Sequence, residues 1–171
     1  MRESIGAAWI MVITMTFITL FSGFLAFSIN YSKAFRVKDG VVERIRKFNG
    51  LRKETIEDID SYLNQIGYRS KGDCMAYFKQ EFGSDSNAKV LGVNDKTVSK
   101  PTTGGLYNYC IIKVTSEKSG SNKSTSSFYR VVVFFALRIS NINIGSTFRV
   151  TGETSQLHYS TDEYENFYAK S

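Results

Sequence analysis

Two cysteines, Cys74 and Cys110, and one histidine, His158, are the scarcest reactive side chains in this chain of 171 residues. A nucleophilic mechanism needs a serine, cysteine or lysine with a base within hydrogen-bond reach. His158 stands alone between Leu157 and Tyr159 on an expected strand, a setting for packing rather than proton transfer. Two cysteines and one histidine in this spacing do not make a zinc site. Gly104-Gly105 and Gly120 lack the strand–loop–helix context of a phosphate cradle. The serine-rich stretch 119–127 has no acidic or basic partner at fixed spacing, and no two carboxylates fall at the ends of adjacent strands. Glu57, Asp58 and Asp60 crowd the first turn of an expected helix, where the helix dipole favours negative charge. These residues predict a protein that is not an enzyme, with no cofactor, no metal and no small-molecule substrate. The chemistry the cysteines suit is a single disulfide, which requires an oxidising compartment. The alternative is two unpaired buried thiols.

The stretch that must position everything else is the run 5–29, IGAAWIMVITMTFITLFSGFLAFSI, which has no charged residue. A helix needs about 20 such residues to cross about 30 Å of hydrocarbon. The hydroxyls of Thr14, Thr16, Thr19, Ser22 and Ser28 are able to bond back to helix carbonyls. A cleaved secretory signal is the rival, with Arg2 as its positive region and Ala26-Phe27-Ser28 as a small-x-small site. Signal cores run about 7–15 residues, so the length favours an uncleaved anchor. Beyond the run, Ala34, Val37, Val41, Ile45 and Phe48 recur at spacings of three and four and share one helical face. One helix over 5–48 is expected, with Gly40 a weak point of about 1 kcal/mol against alanine. Asn49-Gly50 is its expected stop.

About 140 residues remain outside the anchor, enough for one domain with its own core. The division is a transmembrane anchor over 1–29 and an extracytoplasmic domain over 30–171. The net charge of +6 is spread along the chain without an aromatic–basic reader motif, so no nucleic acid is expected. Lys33, Arg36 and Lys38 lie where anionic headgroups would be. Charge alone leaves orientation open. The basic residues after the run favour a cytoplasmic domain, but long domains translocate largely regardless of charge. A disulfide would put the domain outside.

Thr55 and Asp58 predict a capped second helix with Ile56, Ile59, Leu63 and Ile66 on its apolar face and Gly67 ending it. The stretch 74–82 reads as a short helix or an irregular strand, and 89–93 as an edge strand. Strands are expected over 106–116, 127–139 and 146–159, with Gly152 as a bulge. The strand 127–139 puts Tyr129, Val131, Val133, Phe135, Leu137 and Ile139 on a core face. Its other face is half covered. The tail from Thr161 is expected to fray. The fold class is α+β: a transmembrane helix continuing into an amphipathic one, packed on a three- to four-stranded antiparallel meander.

With MRESIGAAW before the run, YSKAFRVKDGVVERIRKF after it, and the late strands SFYRVVVFFALRI and STFRVTGET, the sequence resembles pilins and pseudopilins. More narrowly it resembles the TadE-like minor pilins of tight-adherence (Flp-type) pilus systems. The resemblance implies a pilin-like fold and a membrane-anchored subunit of a pilus or secretion-type assembly. It implies other pilin-like subunits as partners through the N-terminal helix, beside the lipid bilayer. It also implies Gly6 as the processing glycine. The family's glutamate a few residues later has no counterpart in 7–29, and Glu3 precedes Gly6. Small residues in the run (Gly6, Ala7, Ala8, Ser22, Gly23) allow close helix approach. The other readings are a single-span protein whose outer domain binds a ligand or protein, and a secreted protein freed by signal cleavage.

Overall fold

The computed structural model describes residues 2–83, 87–117, 125–139, 142–157 and 162–169. Its first element is helix α1, Arg2–Lys47, 46 residues long. At 1.5 Å per residue that is about 69 Å. In the apolar half, Thr14, Thr16 and Thr19 donate to the carbonyls four residues back at 2.8, 2.8 and 2.9 Å. In the other half, Ala34, Val37, Val41 and Ile45 are buried, as their spacing predicts, whereas Phe48, just past the end of the helix, is half-buried. The helix stops at Asn49 and Gly50, which have φ of 57° and 138°. Gly40 does not interrupt the helix. A Cβ there would lie 2.3 Å from the Tyr62 ring, so the glycine lets helix α2 (Lys53–Gln65) pack against α1. The Tyr62 hydroxyl donates to the Arg36 carbonyl at 3.0 Å across that contact.

Helix α2 begins two residues before the expected cap. Arg52 is the N-cap, and Thr55 is the third helical residue. The Thr55 hydroxyl accepts from the Arg52 amide at 3.2 Å and donates to the Gly50 carbonyl at 3.1 Å. It therefore closes the turn from inside the helix. Ile56, Ile59 and Leu63 are buried, and Gly67 (φ 62°) ends the helix as expected.

The main sheet has five antiparallel strands in the order β3-β2-β5-β6-β7. They are β2 Ala88–Asn94, β3 Thr97–Ser99, β5 Tyr109–Glu117, β6 Thr125–Ile139 and β7 Ile142–Glu153. The short strands β1 (Gly72–Asp73) and β4 (Leu106–Tyr107) form a separate pair. The expected edge strand at 89–93 is an inner strand, because β3 folds back onto Gly92–Asn94 while β5 pairs along Ala88–Val93. Gly152 is not a bulge. It pairs in register with Val131, and the irregularity lies between Ala136 and Arg138. Instead, a Cβ at Gly152 would strike the Lys38 side chain at 2.6 Å.

Both faces of the sheet are covered. Tyr129, Val131, Val133 and Phe135 pack with the buried stripe of α1 and with α2. Val132 and Phe134, which alternate with them, pack under helix α3, Cys74–Phe82. The ambiguous stretch is therefore a helix. Its N-cap is Asp73, whose carboxylate accepts from the Met75 and Ala76 amides at 2.9 and 3.0 Å. Beyond the start of β5, the edge of β6 is closed by a side chain. The Tyr68 hydroxyl donates to the Phe134 carbonyl at 2.6 Å and accepts from the Phe134 amide at 3.0 Å. Burial pushes that hydroxyl's pKa well above the ordinary tyrosine range.

The tail does not fray over 162–169. Ala169 exchanges both backbone bonds with Val90, at 2.7 and 3.0 Å, on the side of β2 that short β3 leaves open. Tyr168 and Ala169 are buried.

Candidate membrane and assembly surface

Helix α1 serves two environments. Residues 6–22 are exposed without exception. They include Trp9, Ile10, Phe17 and Leu20, the last 70% exposed. Nothing described elsewhere in the chain covers them. The helix over Gly6–Lys47, which includes this segment, is long and apolar enough to cross a membrane by length and composition. A bare apolar surface of this size in water would be a strong driver of association.

The two halves meet at an aromatic collar. Phe27 packs edge-on to Phe135 and Phe148, with ring centroids 5.8 and 5.9 Å away. Phe135 and Phe148 stack at 5.3 Å, and Tyr31 meets Phe135 at 5.9 Å. The sheet thus grips α1 inside the apolar run, two residues before Ile29. The basic residues just beyond have different settings. Lys33 donates to the Gly67 carbonyl at 2.7 Å, Lys38 pairs with Asp39 at 2.7 Å, and Arg36 is exposed.

Cys74 and Cys110 are joined in a disulfide with their Cα atoms 5.6 Å apart. The bond ties the first residue of α3 to β5 within the second core. Gly6 stands open, with nothing within 4 Å of an added Cβ. His158 lies outside the described residues. Among the described residues, no three His, Cys, Asp or Glu side chains are placed to hold a metal.

One cluster escaped the sequence reading. Lys113 contacts Asp162 at 3.4 Å and Glu165 at 3.0 Å, and Lys89 also binds Glu165. The Tyr168 hydroxyl donates to Asp162 at 2.7 Å. These pairs hold the tail on β2 and β5. The Glu165 carboxyl is held below its ordinary range, first by the Lys89 hydrogen bond and then by Lys113. No local signal marks the cluster, because its members lie 52 and 76 residues apart. It explains docking of the tail.

No protein-family model matches the chain, and no curated protein or solved structure matches it either. The functional reading therefore stands on the geometry: an α+β domain on a helix able to span a membrane.

Proposed function

We propose that the chain is a membrane-anchored, pilin-like structural subunit of a pilus or secretion-type assembly, resembling the TadE-like minor pilins. One observation carries the reading: a single 46-residue helix is bare and apolar in its first half and seated on an antiparallel sheet in its second. The first half lies in the bilayer or against the same helix of other subunits. The α+β domain lies outside the cytoplasm, consistent with its disulfide. The chain acts by packing rather than by catalysis.

Thiol cross-linking in cells tests this. Leu20 is exposed in the apolar half and far from Cys74 and Cys110 in sequence. Membranes carrying Leu20→Cys should give a linked dimer with a bifunctional maleimide, one thiol of each subunit adding to one arm. Protease added to intact cells should remove the domain. A monomer only, in cells producing the native partners, sinks the assembly reading. A protected domain sinks the outward orientation.

A further inference from the structure

A groove of about 610 Å³ runs along α1 beside the end of α2, lined by Ser28, Ile29, Ser32, Lys33, Arg36 and Ile66. We infer that it holds the phosphate of an anionic glycerophospholipid. The inference rests on the membrane reading above.

The groove is graded from apolar to cationic. Ile29 closes the apolar run and is 67% exposed. Lys33 and Arg36 follow, about 6 and 10 Å further along the axis at 1.5 Å per residue. The polar headgroup layer adds about 5–8 Å on each side of the hydrocarbon. Both long side chains reach a phosphate at that depth while their stems lie along apolar surface.

The groove's polar groups are also available. Lys33 has one bond, to the Gly67 carbonyl at the end of α2, and retains further N–H donors. That position at a helix C-terminus favours a cation. Among the described residues no carboxylate pairs with Arg36. Thr14, Thr16 and Thr19 turn their hydroxyls back to the helix. Among the described residues, Ser28 and Ser32 make no such bond, so both remain free donors on the groove side. Two cations, two hydroxyls and no acid match a phosphate diester. The apolar run of a second copy does not, since 6–29 carries no charge to offset Lys33 and Arg36.

The test uses the full chain reconstituted into an equal mixture of phosphatidylcholine and phosphatidylglycerol, with retained lipids counted by native mass spectrometry. Phosphatidylglycerol should be retained in excess of its share. Arg36→Gln and Lys33→Gln should each lower that excess about fivefold. Lys47→Gln, exposed and far along the helix, should leave it unchanged. Unchanged thermal melting of each variant shows that the fold persists. Equal retention of the two lipids overturns the inference, as does an equal loss with Lys47→Gln. Displacement by millimolar inorganic phosphate reveals a free-anion site and overturns the lipid assignment. A lipid-free dimer overturns it in favour of a second copy. Carbonate extraction of the same vesicles separates the two levels. A chain that washes off sinks the membrane reading, whereas one that stays inserted without lipid preference sinks only this inference.

Discussion

Val41 and Lys47 sit on the same helix with opposite exposure, and their contrast tests how α1 meets the sheet. Val41 is fully buried in the core that Val131 and Val133 of β6 share with α1, and Lys47 is exposed. Val41→Asp puts an unpaired charge into that core, at about 3–5 kcal/mol. Lys47→Glu stays in solvent, where a surface change is worth about 0.5 kcal/mol or less. Circular dichroism melting of the full chain in detergent should separate them clearly. If the two melt alike, α1 does not pack on the sheet. Glu165 gives a second test at this scale. Its pKa is depressed below 4.5, so its contribution is whole above about that pH and is lost as pH falls through the lower folded-state value. The exposed carboxylate is screened, so the effect should be local. The Ala169 amide, bonded to the Val90 carbonyl, should lose hydrogen-exchange protection in acid below pH 4.5, while Val132 in the sheet centre keeps its own. Equal protection of Ala169 at pH 6 and pH 3 would refute the link.

Among the elements, α3 depends most on a covalent tie. It is a nine-residue helix, below the length at which a helix stands alone in water. Its hold on the sheet combines Phe78 and Met75, buried in the second core, with the Cys74–Cys110 bond across 36 residues. Closing such a loop is worth about 3–4 kcal/mol in the chain-entropy view. Reduction, or the pair Cys74→Ala and Cys110→Ala, should lower the melting temperature, with α3 losing exchange protection first. An unchanged melting curve would show that the tie adds nothing. The same elements mark where the sequence was legible. The 3.6-residue stripe of α1, the apolar face of α2 and the alternation along β6 are local patterns, and each element formed where its pattern lay. The inner place of β2, the docked tail and the two-faced sheet depend on partners far along the chain. Lys89–Val93 looks like an edge because its own pattern is silent about β3 and about Ala169. Thr55 looks like a cap because the bond it makes to Gly50 lies outside its own helix. For the candidate site, the bare helix and the cysteine pair were legible. The collar of Phe27, Phe135 and Phe148 was not, since it joins residues more than a hundred positions apart.

At the scale of the whole molecule, the apolar segment and the sheet share one uninterrupted helix with no described hinge between them. Phe27 is already gripped by Phe135 and Phe148, so the grip begins before the apolar run ends. The bearing of the sheet around the helix axis is therefore set by residue count, as teeth set the phase of a gear. Each residue turns a helix by about 100°. One alanine inserted between Leu25 and Ala26 should rotate the apolar half by that angle against the sheet, with only about 1.5 Å of added length. Seven inserted residues return the angle to within about 20° but add about 10 Å. In a bundle of such helices, the single insertion should abolish the Leu20→Cys linked dimer while the domain melts normally, and four inserted residues, about 400°, should partly restore it. Linkage indifferent to the number inserted would mean that the two halves turn independently. If they are locked, every outward feature of the sheet has a fixed azimuth relative to the apolar half of the helix, and the surface that a bundle of such helices would display is decided by angular phase.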